Sequence, residues 1–392
     1  MPLKNLKVLD FSTLLPGPYA TMMLADMGAE VLRVEAPNRP EITREMPPFD
    51  DQGVNFIHSY LNRSKRSIGL DLKKPAAIEI IKKLVVEYDL VIDQFRPGVM
   101  DRLGIGYETL KAINPRLIYC AITGYGQTGP YKNRPGHDIN YLALAGVASY
   151  TGRPEQGPLP LGIQVADIAG GSMHALVGLL AAVIERQQSN LGQFIDISMT
   201  DTAFALNAMT GAGALGTGVS PELGQGILNG GSFYDYYQTA DGRYFSVGSL
   251  EPQFLKLLCE TLERPELIQL GMSQKPEDQQ QLRTELTDIF ASKSYTAWQA
   301  IFESVDACVE PVLTITEAAN HPQLVEREML VEVETSYGTK IKQLACPIKF
   351  SRNSATYKHT GTDLGAASQQ VLQALGYDNE AINQLAAEGV LG

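Results

Sequence analysis

The chain has 392 residues, 44% of them hydrophobic and 19% charged, a composition that folds and that is too long for one ordinary core. Its net charge of −12 argues against nucleic acid or an anionic membrane as the main partner. The four cysteines (Cys120, Cys259, Cys308, Cys346) share no short spacing, so reduced thiols in a soluble, cytoplasmic protein are expected rather than a zinc site or disulfides.

In chain order, residues 7–11 (KVLDF) predict a buried strand, followed by a Pro/Gly loop at residues 15–18. A helix over 19–27 stops at Gly28, and the next strand covers 30–34. A helix over 76–87, a strand at 90–93, a helix over 107–113 and a strand at 117–122 continue the alternation. Such alternation implies α/β architecture, an open parallel sheet of Rossmann-like type. A dinucleotide site with Glu35 as its ribose acid does not follow, because the first loop reads Leu-Leu-Pro-Gly-Pro instead of G-x-G-x-x-G. Two prolines there remove N–H donors that a pyrophosphate needs.

Farther on, Asp167 opens an apolar helix rich in Gly and Ala that allows close packing by its neighbours. The longest apolar run, residues 175–184, is interrupted by Gly178 and reads as too short to cross a membrane. The N-terminal residues carry no signal-peptide pattern. Residues 232–247 alternate like a hairpin turning at Asp241-Gly242, and 331–335 with 340–344 form a second one turning at Gly338. The tail, 366–387, reads as helical. The expected organisation is a large α/β domain over 1–200, a linker at 201–224, a small α+β domain at 225–325, and a return to the large domain over 326–392.

For an acidic chain, the basic stretch Arg63, Lys65, Arg66 and Lys73, with Arg96 and Arg102 after it, is a candidate site for a small anion. No two of the five histidines lie within four residues of each other, so no metal site is expected.

Several segments in order resemble the class III coenzyme A-transferase superfamily and, within it, the α-methylacyl-CoA racemases. They are Pro16-Gly17-Pro18-Tyr19 with Leu24 to Ala29, Lys65 to Lys73, Phe95 to Met100, Asn114 to Tyr119, Gly124 to Tyr141 and Gly248 to Phe254. Gly136-His137-Asp138-Ile139-Asn140-Tyr141 is similar to the racemase motif with the catalytic histidine, and Asp167 to the aspartate both subfamilies use.

The resemblance implies His137, Asp167 and Glu251 as catalytic residues. It implies coenzyme A contacts from Leu70, Asp71, Leu72 and Lys73 at the adenine end, from Gln94, Phe95, Arg96 and Arg102, and from Gly136, Asp138, Ile139, Asn140 and Tyr141. An acyl-CoA thioester would be the substrate, with no cofactor required, in an interlocked homodimer without a membrane partner. Ala36 stands where the family often has an arginine, with Arg39 nearby as a substitute.

The chemistry fits those residue types. Inverting a thioester α-carbon without a cofactor takes one group to remove the proton and another to return it on the opposite face. Free N–H groups at the helix entrance, that of Asp167 included, would hold the enolate oxygen, and Asp138 would orient His137. Met173, Met199 and Met209 are candidates for an adaptable acyl pocket. The alternatives are a coenzyme A transferase, with Asp167 as acyl-accepting nucleophile, and a catalytically silent acyl-CoA-binding protein.

Overall fold

The structure, a computed structural model, describes all 392 residues. Its main sheet has six strands: β1 (Lys7–Asp10), β2 (Glu30–Glu35), β3 (Arg66–Gly69), β4 (Leu90–Asp93), β5 (Ile118–Thr123) and β6 (Phe194–Ser198). All neighbouring pairs are parallel, in the order β3-β2-β1-β4-β5-β6. The winding reverses between β1 and β4, and in such sheets ligands bind outside the carboxyl ends of the strands at that reversal.

The central strands β4 and β5 are buried at every position, as their apolar runs require. The edge strands β3 (RSIG) and β6 (FIDIS) were not anticipated. Their polar residues suit an edge, and the exposed start of β6 blurs the hydrophobic signal. Helix α1 (Pro16–Asp26) begins three residues before the helix expected, so the supposed Pro/Gly loop is its first turn. Proline fits there because the first N–H groups of a helix have no intrahelical partner.

Helix α2 (Asp138–Leu144) follows His137, which occupies its N-cap position. Helix α3 (Ala166–Ser189) corrects the length expected of the apolar segment. It runs unbroken through Gly170, Gly171 and Gly178, starting as a π-helical stretch, and its 24 residues are long and apolar enough to cross a membrane by length and composition. Here it packs along β5 and β6. The glycines make that approach possible: a Cβ on Gly178 would sit 3.1 Å from Ile195, and one on Gly171 would sit 2.9 Å from Pro16.

The chain divides into two compact units. One comprises residues 1–145, 162–206 and 322–392, the other 146–161 and 207–321. Residues expected to form a linker are instead largely helical, in Met199–Ala205 and Ala208–Thr217. The second unit has its own aromatic core, where Phe245, Phe290, Trp298 and Phe302 stack behind a three-stranded antiparallel sheet. Its hairpin, Asp235–Gln238 with Tyr244–Val247, turns at Asp241-Gly242 as expected, with Gly242 at φ +81°. The hairpin of Leu330–Glu334 with Lys340–Leu344 likewise turns at Gly338. The tail is two helices, Ser368–Ala374 and Asn379–Ala387, parted at Gly376 (φ +86°).

Candidate active site

A cavity of about 560 Å³ opens at the carboxyl ends of β1, β4 and β5, at the reversal of strand order. Thr13, Leu14 and Pro16 follow β1, Gln94 to Pro97 follow β4, and Gly124 and Tyr125 follow β5. The far wall is the loop of Lys132, Arg134, Gly136 and His137, with Asn140 and Tyr141 of α2, Asp167 of α3 and Met199. All of these belong to the first unit.

Local chemistry fixes each wall. Gln94 Oε1 accepts the Gly17 N–H at 2.9 Å, which engages a first-turn donor of α1 and ties the β1 and β4 loops together. Asp93, whose carboxyl burial pushes up to about 6, accepts the Phe95 N–H at 2.8 Å and so shapes the turn carrying Arg96. Tyr141 donates from its hydroxyl to the Gly136 carbonyl at 2.5 Å, edge-on to Tyr125. Glycine is needed at both 124 and 136 because a Cβ at either would strike the Tyr141 ring.

His137 is exposed; its N–H donates to Asn140 Oδ1 at 3.0 Å, which anchors the turn entering α2. Asp167 is half-buried in the first turn of α3, and its own N–H donates to Asp138 Oδ1 at 3.0 Å. Burial, and then the charge of Asp138, raise the Asp167 carboxyl from an ordinary 3.8 to about 7. Two expectations fall here. The Asp167 N–H is not free for an enolate oxygen, and the Asp138 side chain is bonded to that N–H rather than set to orient His137.

The cavity holds Arg96, Lys132 and Arg134, and none of the three is ion-paired. Arg134 lies over the Tyr131 ring, 3.9 Å from its centroid. In a chain of net charge −12, this is a local environment for an anionic ligand. The sequence offered Arg96 but not Lys132 and Arg134. They stand outside the basic run, and only the fold brings their loop opposite β4.

The sequence model of CoA-transferase family III matches residues 3–367. The chain belongs to that family. It is 35% identical to the human α-methylacyl-CoA racemase over 399 residues, covering 100% of this chain and 98% of the relative. It is also 35% identical to an Agrobacterium fabrum succinate–glutarate CoA-transferase over 389 residues, covering 95% and 96%. The fold matches the crystal structure of a CaiB/BaiF family protein from Brucella suis, with a TM-score of 0.84 at 29% identity over 96% of this chain and 99% of the other. Family III thus includes both racemases and transferases, and equal identity to one of each leaves the choice to the site.

Set against the coenzyme A contacts that family resemblance implies, the basic run divides. Arg63 is wholly buried, donating to both oxygens of Asp26 at 2.9 and 2.6 Å and to the Leu344 carbonyl at 2.6 Å. Lys65 is buried against Asp10, Thr21, Asn62 and the Pro18 carbonyl, and burial lowers it to about 8. Arg66 sits at the opposite, amino end of its strand, paired with Glu30 at 3.1 Å. These three are structural, contrary to expectation.

The N–H groups of Leu70 and Asp71 donate to the Glu35 and Val390 carbonyls, and that of Lys73 to the Asp71 carboxylate. Backbone donation toward an adenine is therefore restricted to Leu72. Neither Leu72 nor Arg102, Ile139 or Arg39 lines the cavity, and Arg39 is exposed in the loop after β2. Glu251 is an exposed N-cap residue of Pro252–Thr261 in the second unit and is not among the lining residues. Of the three methionines, Met199 lines the cavity. Met209 is 79% exposed in the second unit, and Met173 is half-buried on α3 outside the lining.

Glu35, Glu41 and His58 converge in the manner of a metal-ligand set, yet Arg33 stands among them. Its guanidinium contacts His58 Nε2 at 3.2 Å and pairs with both glutamates, and Arg44 adds a second pair to Glu35. Burial beside these two arginines lowers His58 to about 2 and keeps the ring neutral. Two cationic side chains already supply the positive charge that the carboxylates require.

Proposed function

We propose that the protein racemises 2-methylacyl-CoA thioesters, removing the α-proton with one of His137 and Asp167 and returning a proton to the opposite face from the other. The observation that carries this reading is the Asp167 carboxyl, raised to about 7 in the same cavity as His137. A carboxyl half-protonated at neutral pH serves as base toward one enantiomer and acid toward the other, with histidine as its counterpart. Arg96, Lys132 and Arg134 supply charge for the coenzyme A phosphates. The reaction calls for no cofactor beyond these groups.

A second reading is favoured by the equal identity to the Agrobacterium transferase. In it, the Asp167 carboxylate attacks the thioester carbonyl and expels the coenzyme A thiolate, leaving a mixed anhydride. At neutral pH about half of that carboxyl carries its proton, so the attack would draw on the ionised half of Asp167. Four unpaired cysteines suit a reducing, cytoplasmic setting. A second copy of the chain is the proposed partner.

The test is to incubate the protein with (R)-2-methylacyl-CoA in heavy water containing succinate and to follow the α-hydrogen by NMR. Deuterium entering as chirality is lost, with a fall of 10²-fold or more in Asp167→Asn and His137→Ala, is the expected result. Succinyl-CoA formed while the α-hydrogen stays in place would establish the transferase instead.

A further inference from the structure

The two groups assigned to proton transfer come from separate segments, His137 from the turn entering α2 and Asp167 from the first turn of α3. One side chain spans the gap. Asp138, the residue after His137, accepts the Asp167 N–H at 3.0 Å. The next residue toward α2's interior that reaches the turn is Asn140, which holds the His137 N–H at 3.0 Å. A short chain of bonds therefore runs from the backbone of His137 through α2 to the backbone of Asp167, and Asp138 is the side chain of this turn that bonds to α3.

We infer that Asp138 is a positioning residue for catalysis, fixing the spacing of His137 and Asp167 and holding a negative charge beside Asp167. The inference rests on the racemase reading for its kinetic consequences, but the placement of the charge stands without it. Asp138 does not line the cavity, so its effect on a substrate passes through Asp167.

Charge at this point acts on Asp167 with little competition. The titratable and charged groups on the surrounding elements are Tyr19 and Asp26 in α1, Asp138 and Tyr141 in α2, His174 in α3, Asp196 in β6 and Asp201 in Met199–Ala205. His137, Arg96, Lys132 and Arg134 share its cavity. Asp26 is committed to Arg63, and Asp196 accepts the Gln127 N–H at 2.9 Å. His174 faces the Ala169 carbonyl. Among all of these, Asp138 is the group whose charge raises Asp167, while burial and then Asp167 raise Tyr141.

Two substitutions separate the geometric from the electrostatic part. Asp138→Asn keeps an acceptor for the Asp167 N–H and removes the charge, whereas Asp138→Ala removes both. Asp167 is titrated directly by carboxyl ¹³C NMR, its signal assigned by its disappearance in Asp167→Asn, and exchange rates are measured across pH. In Asp138→Asn the Asp167 midpoint and the acidic limb of the kcat profile move to lower pH by about one unit. In Asp138→Ala, kcat for α-proton exchange falls by about tenfold or more at every pH while KM changes little.

A merely structural Asp138 would lower stability without moving the midpoint. An unmoved Asp167 midpoint in Asp138→Asn, or wild-type kcat in Asp138→Ala, would overturn the proposal. Absence of exchange in the wild type sinks the racemase reading instead, and the NMR midpoint still decides whether Asp138 sets the protonation of Asp167.

Discussion

At the scale of the residue, Asp167 is held in a state that suits chemistry and costs stability. In the unfolded chain its carboxyl releases its proton near 3.8, whereas in the native protein it holds it up to about 7. Between those values the native state binds the extra proton, so stability falls as pH rises through the window and the whole penalty is present above it. Asp167→Asn is therefore expected to be more stable than the wild type at pH 8, by about 1–2 kcal/mol after allowance for solvent screening of a half-buried group. Urea unfolding at several pH values checks this, and the advantage should shrink as the pH is lowered toward 4. An advantage that ignored pH would point to packing instead. The arginines offer a second contrast. Arg63→Met leaves Asp26 buried without its partner and should destabilise by about 3–5 kcal/mol. Arg96→Ala should leave the melting temperature nearly unchanged and weaken coenzyme A ester binding severalfold, as isothermal titration calorimetry would show. The sequence presented both as cations in one basic region. Charge is visible in a sequence, whereas the partner that neutralises it, 37 positions away for Arg63, is not.

At the scale of the element, legibility followed burial. The four inner strands are buried along nearly their whole length, and they formed where the pattern placed them, to within a residue at each end. The edge strands escaped notice because only part of each is covered, and Ser67 of β3 is polar because it reaches Glu35 in the Arg33–Arg44 network. The helix opened by Asp167 is legible along nearly its whole length; the apolar run 175–184 reads as too short to cross a membrane because Gly178 interrupts it, whereas in α3 that glycine is what lets Ile195 pack against the helix. The site was legible in a similar way. The motif around His137 and the helix start at Asp167 could be named, and both line one cavity. What the pattern did not show was the bond from the Asp167 N–H to Asp138, because main-chain donors look alike in a sequence and the choice of acceptor depends on how α2 meets α3.

At the scale of the whole molecule, large apolar side chains stand exposed on several helices. Helix Ala208–Thr217 (AMTGAGALGT) has no buried residue, with Met209 at 79% and Leu215 at 77% exposure. A ten-residue, glycine-containing helix does not hold itself together in water, because nucleation is unfavourable and most helical stability comes from packing. In the first unit, Val177 and Ile184 of α3 are 68% and 61% exposed, and Phe204 is 57% exposed. Residues of this kind, repeated on successive helices, mark surfaces meant to be covered. The segments carrying them come from both compact units, so a partner covering them all would have to reach widely along the chain, as a second copy does in an interlocked pair. If the second copy proposed above covers them as an interlocked pair, sedimentation equilibrium should give twice the mass of one chain at every concentration down to the nanomolar range, since separating chains so linked requires unfolding. Leu215→Glu should yield poorly soluble protein or a monomer with a sharply lower melting temperature. A wild-type monomer with the same melting temperature as Leu215→Glu would mean that this helix is stable uncovered, and the second copy would lose its physical basis.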